Sequence, residues 1–235
     1  MPVGLVQSQV VKKWNDTYAK GSDKSFPNLD LVRLERWFFE RKPGKLLEYG
    51  FGCGVNLLYL LESGYEAQAV DSSIEAKKLV ESKLAKRPDL QARVKLHNIS
   101  TDAKKLFFAD QTFDFIVCVS VLSLLGSQAA VESMLSEFSR ILKPGGKIIV
   151  DINGPQSDFA RESERLGNDV YVHRGFSQKE EPFECYCPPD AQTFAELVKK
   201  YFVIDDVGYS SHKYFHSEIE EFIVCAHKKR GNSQG

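Results

Sequence analysis

The fold of this 235-residue chain is decided by the stretch KLLEYGFGCGVNLLYLLESGYEAQAVDS, from Lys45 to Ser72. It predicts a buried strand, a glycine-rich turn, an amphipathic helix and a second strand that ends at Asp71. A strand, a helix and a second strand in this order form the repeating unit of a parallel sheet. The stretch therefore predicts an α/β fold.

The glycine-rich turn has the features of a nucleoside-binding site. Gly50, Gly52 and Gly54 leave no Cβ atom between the backbone and a ligand. The helix that follows directs free N–H groups and a positive dipole end at the turn. Asp71 closes the next strand, where a carboxylate can accept hydrogen bonds from a ribose diol. The turn therefore predicts a nucleoside cofactor.

The spacing of the glycines argues against a dinucleotide. The dinucleotide fingerprint is G-x-G-x-x-G, so its third glycine would stand at position 55, which is Val55. The third glycine is Gly54 instead, and Glu48 precedes the turn, which gives the pattern E-x-G-x-G-x-G. This pattern resembles motif I of the class I S-adenosylmethionine-dependent methyltransferases, whose cofactor has no pyrophosphate.

Two later segments continue the resemblance. The segment TDAKKLFFADQTFDFIVCVSVL, residues 101–122, resembles the part of the family in which an acid and a small residue face the adenine. Asp102 and Ala103 would take those places, and Asn98 is the alternative for the adenine contact, with Asp102 preferred. The segment RILKPGGKIIVDI, residues 140–152, resembles the family's helix end, turn and fifth strand.

The resemblance implies a doubly wound, seven-stranded, mostly parallel sheet with an antiparallel last strand and helices on both faces. It implies S-adenosyl-L-methionine as the cofactor. The implied cofactor contacts are Tyr18, Glu48, Gly50, Phe51, Gly52, Gly54, Asn56, Asp71, Ser72, Asp102, Ala103, Ser120 and Val121.

Tyr18 lies one helical turn from Trp14 in the sequence WNDTY. As N-terminal helices of related folds do, it would close over the cofactor, and its ring would attract the sulfonium by ~1 kcal/mol. Packing of both rings against the core is the alternative.

Apolar periodicity and turn signals divide a single domain into four parts. These are a helical cap over 1–44, a cofactor-binding core over 45–153, an acceptor-side insert over 154–190, and a closing helix with a strand hairpin over 191–235. Core strands are predicted near 45–50, 66–71, 92–97, 113–119 and 146–152, and helices near 6–19, 29–41, 55–63, 73–86, 129–142, 156–166 and 191–201.

The charge balance gives no sign of a nucleic-acid or membrane partner. Lys and Arg total 31 against 32 Asp and Glu, so the net charge is −1. No run is long enough for a transmembrane helix, and residues 1–11 lack a signal-peptide pattern. A cytoplasmic protein with a small-molecule acceptor is expected, and the sequence carries no signal for an oligomeric state.

The five cysteines predict no metal site. Cys53, Cys118 and Cys225 lie in apolar runs and are expected to be buried thiols. Cys185 and Cys187 form a C-x-C without a second pair at zinc spacing.

The acceptor side offers no residue that the sequence alone identifies as catalytic. Methyl transfer from a sulfonium needs positioning and exclusion of water, and it needs a base only where the acceptor must lose a proton early. His173 in the insert, and His212 and His216 between the last two strands, are weak candidates for that base. An ordinary surface position is the alternative for each.

These observations together predict an S-adenosylmethionine-dependent methyltransferase that acts on an oxygen or nitrogen atom of a small molecule. A non-catalytic cofactor-binding or partner subunit on the same fold is one alternative, and a methyltransferase acting on protein or RNA is another. Val55 at the third glycine position disfavours an NAD-linked oxidoreductase.

Overall fold

The computed structural model describes residues 3–100, 105–174, 182–215 and 217–230. The helices are α1 (Val3–Ala19), α2 (Leu29–Leu34), α3 (Val55–Glu62), α4 (Ile74–Leu84), α5 (Pro88–Gln91), α6 (Gln128–Ile141), α7 (Asp158–Arg161) and α8 (Ala191–Lys199). A π-helical segment, Glu35–Phe39, continues α2, and a 3-10 segment, Leu122–Leu125, precedes α6. The strands are β1 (Lys45–Tyr49), β2 (Glu66–Asp71), β3 (Val94–Asn98), β4 (Phe113–Cys118), β5 (Leu142–Asn153), β6 (Glu164–Gly167), β7 (Val170–His173), β8 (Phe183–Tyr186), β9 (Val203–Tyr214) and β10 (Ser217–His227).

The main sheet has seven strands in the order β3-β2-β1-β4-β5-β10-β9. The pairs from β3 to β5 are parallel, whereas β10 is antiparallel to both β5 and β9. Six strands therefore run in one direction and β10 runs in the other. This confirms the predicted fold class.

Both faces of the sheet are covered by helices, and the alternation of side chains along a strand supplies both layers. In β1, Leu46 packs into the cluster formed with α3 and α4, while Leu47 packs into the cluster formed with α6 and α8. Both leucines are fully buried. A strand that is buried on both faces has consecutive apolar residues, as Leu46 and Leu47 are in KLLEY.

The order of the strands determines where a ligand can bind. The chain runs outward from β1 through β2 to β3, then returns to the other side of β1 as β4. The connections that leave β1 and β4 therefore diverge, which opens a crevice at the carboxyl ends of these strands.

The insert differs from its prediction. The helix predicted over 156–166 is limited to α7, and the prediction is wrong for 164–166, which begin β6. The reason is a two-residue hairpin turn: Asn168 and Asp169 have φ values of 50° and 59°, as a type I′ turn requires. β6, β7 and β8 form a separate three-stranded antiparallel sheet.

Two strand boundaries also differ from the predictions. β5 begins at Leu142, four residues before the predicted start, because Leu142 pairs with Phe113 ahead of a register shift in β4. His212 was predicted to lie between the last two strands, and this is wrong: β9 extends to Tyr214 and pairs with β10, so His212 lies within β9 opposite Ile219.

All five cysteines are buried and free, as expected for Cys53, Cys118 and Cys225. Within the described ranges, no three metal-ligating side chains come together. A search of the same residues finds no helix with the length and apolar character needed to cross a bilayer.

Candidate cofactor and acceptor site

A cavity of about 520 Å³ lies at the carboxyl ends of β1, β2 and β4. Its remaining walls come from α1, from the loop and first turn of α2 over residues 22–30, and from the β9–β10 hairpin. Ten of the residues predicted from the sequence line it: Tyr18, Gly50, Phe51, Gly52, Asn56, Asp71, Ser72, Ser120, Val121 and His212. Segments far apart in the chain are thus brought to one site.

The glycine turn is closed on one side by α1 and on the other by β2. The Gly52 N–H donates to Asp71 Oδ2 at 2.8 Å. Gly52 has a φ of +49°, and a Cβ added there would stand 2.6 Å from the Tyr18 hydroxyl oxygen. A side chain at position 52 would therefore both strain the turn and fill the space between the turn and α1.

Gly54 has a different role from Gly52 in the structure. It is the N-cap of α3, with a φ of +81°, and it does not line the cavity. A Cβ at Gly54 would meet a methyl group of Val80 on α4 at 2.5 Å. Close packing of α3 against α4 is therefore sufficient to require glycine here, and the predicted cofactor contact of Gly54 stays a prediction.

Glu48 lies behind the turn in β1 and is 2% exposed. Its Oε2 atom has no hydrogen-bond partner among the described residues. Burial, and secondly the nearby Asp71 carboxylate, raise the pKa of Glu48 to about 8. Glu48 is not part of the cavity wall, so its predicted cofactor contact stays a prediction.

Asp71 connects the turn to the start of α4. Its Oδ1 accepts from the Ser73 N–H at 2.8 Å, while its Oδ2 holds Gly52. Burial raises the pKa of the Asp71 carboxyl, and the backbone N–H groups that donate hydrogen bonds to it oppose this rise. The carboxyl group is half-buried and lines the cavity, so it remains accessible to a ligand hydroxyl.

Tyr18 forms part of the roof of the cavity. Its ring stacks on Trp14 with centroids 5.9 Å apart, and both rings line the cavity. Burial and the Asp71 carboxylate raise the pKa of Tyr18, so the phenol stays neutral. The two rings therefore pack against each other. Tyr18 at the same time lines the cavity in which a ligand could bind.

Asn56 shapes the wall formed by residues 22–30. Its Oδ1 accepts from the Asn28 N–H at 2.8 Å. Asn28 in turn caps α2, since its Oδ1 accepts from the N–H groups of Asp30 and Leu31 at 2.8 and 3.0 Å. The start of α3 is thereby fixed to the start of α2.

The predicted adenine region is only partly described. Asp102 and Ala103 lie outside the described residues. Asn98 donates through Nδ2 to the Asp71 carbonyl oxygen at 3.0 Å and lines a neighbouring, more open cavity. Ile99 lines both cavities. The choice between Asp102 and Asn98 stays a prediction.

The three histidines occupy different places. His212 lines the cavity from β9. His173 is buried in β7, with its ring centroid 5.2 Å from those of Phe159 and Phe183, and it is not part of the cavity wall. His216 lies outside the described residues. Of the three histidines, His212 is therefore the one that remains a candidate base.

Ser120 follows β4 in a conformation that is uncommon for its residue type. Its φ is 60°, in the left-handed region. The Ser120 N–H donates to Asp151 Oδ1 at 2.6 Å, and Ser120 Oγ lies 3.4 Å from Glu221 Oε1. Such residues concentrate at functional sites, where neighbouring groups enforce the conformation.

Several cavity residues were not predicted from the sequence. Asp30, Lys24, Ile219 and Glu221 line the cavity, whereas the described residues of the insert contribute nothing to its wall. The described insert instead packs Phe183, Cys185 and Cys187 into a cluster with Val10 of α1. The loop before α2 and the β9–β10 hairpin, rather than the described insert, therefore form this part of the cavity wall. Only the register of that hairpin, which a single sequence does not reveal, brings Glu221 here.

Comparison with known proteins identifies similar chains. A family model described as "Methyltransferase domain" matches residues 47–150. The ubiquinone/menaquinone biosynthesis C-methyltransferase UbiE of Roseobacter denitrificans is 32% identical over 205 residues, which cover 81% of this chain and 75% of that protein.

Solved structures share the fold. A SAM-dependent methyltransferase of Methanosarcina mazei superposes with a TM-score of 0.66 at 22% identity, covering 80% of this chain and 94% of its own. The 1,6-didemethyltoxoflavin-N1-methyltransferase of Burkholderia thailandensis, solved with S-adenosylhomocysteine, superposes with a TM-score of 0.68 at 18% identity, covering 96% and 88%.

Proposed function

Because this chain belongs to the class I S-adenosylmethionine-dependent methyltransferases, we propose that it methylates an oxygen or nitrogen atom of a small molecule. It is an enzyme of that family, and its cofactor is S-adenosyl-L-methionine. The observation that carries the acceptor proposal is the continuity of the cavity. One space of about 520 Å³ extends from the predicted cofactor contacts to His212 and Glu221.

The cofactor half of this proposal rests on the glycine turn. Asp71 would accept the ribose hydroxyls, Gly52 would let the ligand approach the backbone, and Tyr18 would cover it from α1. When bound, S-adenosyl-L-methionine supplies an electrophilic methyl carbon. The residues of this chain orient the reactants and exclude water, which can lower the barrier by roughly 7–11 kcal/mol.

The acceptor half rests on the shape and charge of the molecule. The cavity is bounded by α1, the loop before α2 and the β9–β10 hairpin, which favours a small acceptor over a protein or RNA surface. The net charge of −1 gives no attraction for nucleic acid. His212 is the candidate base. The relative from Roseobacter is named a C-methyltransferase, so a carbon acceptor is the second candidate.

We propose a cytoplasmic location for the protein and a division of its chain into four parts. The buried, unpaired cysteines are compatible with a cytoplasmic location, where thiols stay reduced. We also propose that the single domain consists of a cap over 1–44, a core over 45–153, an insert over 154–190 and a closing unit over 191–235.

A methyl-transfer assay tests the proposal. The purified protein is incubated with isotopically methyl-labelled cofactor and a panel of hydroxyl, amine and activated-carbon acceptors, and products are located by mass spectrometry. A labelled oxygen or nitrogen product is expected. Products labelled only at carbon, or only on protein or RNA, would contradict the proposal. Bound cofactor with no product at all would favour a non-catalytic subunit.

A further inference from the structure

Two carboxyl groups from neighbouring strands lie close to each other near the β9–β10 side of the cavity. Glu221 lines the cavity, whereas Asp151 is buried and is not part of the cavity wall. In the β5–β10 pair, Ile223 stands opposite Asp151 and Glu221 stands opposite Asn153. Asp151 and Glu221 are therefore diagonal neighbours on one face of the sheet, within reach of each other's side chains. Ser120 links them, because its N–H donates to Asp151 and its Oγ donates to Glu221.

Glu221 has unused capacity to accept hydrogen bonds. Its side chain lines the cavity, although the residue is only 8% exposed. Within the described part of the chain, Ser120 Oγ is its sole hydrogen-bond donor, at a long 3.4 Å. A carboxylate offers about four acceptor positions. A carboxylate that is mostly shielded from water and accepts only one long hydrogen bond is stabilised by a hydrogen-bond donor on a ligand in the cavity.

The charges around Glu221 favour a positively charged ligand. Asp151 lies near it on β5 and Asp30 on α2, His212 lies on β9, and Lys24 on the exposed loop carries an opposing charge. Burial, together with Asp30, raises the pKa of Glu221, and burial, together with Glu221, raises that of Asp151. Among the described residues, Asp30 and Glu221 thus bring two carboxyl groups to the cavity wall, which Lys24 also lines.

Aromatic rings complete this environment. Tyr18 and Trp14 on α1 and Phe26 on the loop line the same cavity as Glu221. The faces of aromatic rings attract cations by roughly 0.5–2 kcal/mol, depending on how far the cation is removed from water. Carboxylates combined with aromatic faces form the surroundings that an ammonium group prefers.

We propose that the acceptor is a primary or secondary amine, bound as its ammonium ion by Glu221, and that Glu221 takes its proton before methyl transfer. The nitrogen lone pair then forms the bond to the methyl carbon, and the electron pair of the broken sulfur–carbon bond returns to sulfur. The proton leaves Glu221 for solvent. This inference rests on the proposed function, selects nitrogen over oxygen, and assigns the role of base to Glu221 instead of His212.

A paired ligand panel tests this inference. Arylalkyl and aliphatic amines are titrated by calorimetry in the presence of saturating S-adenosylhomocysteine, each beside the alcohol and the carboxylate of the same skeleton, such as benzylamine, benzyl alcohol and benzoate. Amines are expected to bind and the matched alcohols and carboxylates to bind at least about tenfold more weakly. Preferred binding of the alcohols or carboxylates, or no binding of any amine, would overturn it.

Two isosteric variants on β10 make the test specific to Glu221. Glu221→Gln is expected to lower amine affinity at least about tenfold while leaving S-adenosylhomocysteine affinity unchanged. Glu218→Gln is the control, since it removes a carboxylate from the same strand. Glu218 pairs with Arg161 and Lys213 outside the cavity. This variant is expected to keep the wild-type affinity for both the amine and S-adenosylhomocysteine. Equal amine affinity in Glu221→Gln and the wild type would contradict the inference.

The failure of this inference and that of the proposed function are distinguishable. If the wild type does not bind S-adenosylhomocysteine, the proposed function fails with it. If the wild type binds S-adenosylhomocysteine and methylates alcohols, only the choice of an amine fails.

Discussion

At the scale of single residues, Asp71 is the group that organises the glycine turn of the proposed cofactor site. It holds the Gly52 N–H with one oxygen and the Ser73 N–H with the other, so it organises the turn before any ligand arrives. Its half-buried position lets it serve the ligand as well. Loss of this carboxyl group would therefore remove the proposed ligand contact together with an internal support.

We expect Asp71→Ala to weaken binding of S-adenosylmethionine by ~1.5–3 kcal/mol, the scale of a hydrogen bond to a charged group. Asp71→Asn keeps one acceptor oxygen for the turn and should lose less. Calorimetric titration of both variants measures the effect. An unchanged affinity in a folded Asp71→Ala protein would remove Asp71 from the site.

Gly52 provides a second test at the same scale. Gly52→Val should abolish cofactor binding, because the new side chain would occupy the space beneath the Tyr18 hydroxyl in a backbone conformation that disfavours it. Gly208→Ala is the control, since a Cβ there meets its nearest neighbour at an ordinary 3.6 Å. Circular dichroism should show the fold retained in both variants. Cofactor binding by Gly52→Val would count against the site.

Glu48 links the site to the pH dependence of stability. Its pKa rises from an ordinary 4.5 to about 8 in the folded protein, so the native state keeps a proton that the unfolded state releases between these values. The contribution of Glu48 to the free energy of unfolding therefore falls as pH rises through this window and stays constant above it.

Glu48→Gln should remove that dependence. The Tm of the variant relative to the wild type is expected to increase from the ordinary pKa of 4.5 up to about pH 8 in the ligand-free protein. Differential scanning calorimetry across this range measures it. A Tm difference that does not vary with pH would show that Glu48 titrates normally.

At the scale of elements, α1 determines whether the cavity is covered. Asn15 Oδ1 accepts from Ser73 Oγ at 2.7 Å, which fixes α1 to the N-cap of α4 one turn from Tyr18. The same Ser73 hydroxyl caps α4 through the Ala76 N–H. The roof of the cavity and the start of α4 are therefore fixed by one hydroxyl group next to Asp71.

Asn15→Ala should loosen α1 and lower the affinity for S-adenosylmethionine about three- to tenfold, since a hydrogen bond of about 1 kcal/mol positions Tyr18. Lys12→Ala, an exposed substitution on the same helix, is the control and should bind normally. An Asn15→Ala protein with wild-type affinity would show that α1 is held by its other contacts.

The elements also show what a single sequence can and cannot predict. The turn, α3 and Asp71 lie within 28 consecutive residues, so local patterns determine their arrangement and this part of the fold was predictable. The acceptor side depends on pairing between residues far apart, as for Asp151 and Glu221 across the β5–β10 register. A glutamate in a strand has no local signal for such a role. The Asn168-Asp169 turn, by contrast, carried a signal for a hairpin that favoured β6 over a helix.

At the scale of the whole molecule, one cavity collects residues from α1, the loop before α2, four strands of the main sheet and the turns that follow them. The glycine spacing argues against a dinucleotide, and the resemblance to class I methyltransferases implies a sulfur nucleoside without a pyrophosphate. Cofactor selectivity is therefore the central claim about the molecule.

Calorimetric titration of the wild-type protein with S-adenosylmethionine, S-adenosylhomocysteine and NAD tests this claim most directly. Binding of the two sulfur nucleosides in the micromolar range, about −8 kcal/mol, without binding of NAD, is the predicted result. Binding of NAD, or no binding of either sulfur nucleoside by the folded protein, would contradict it.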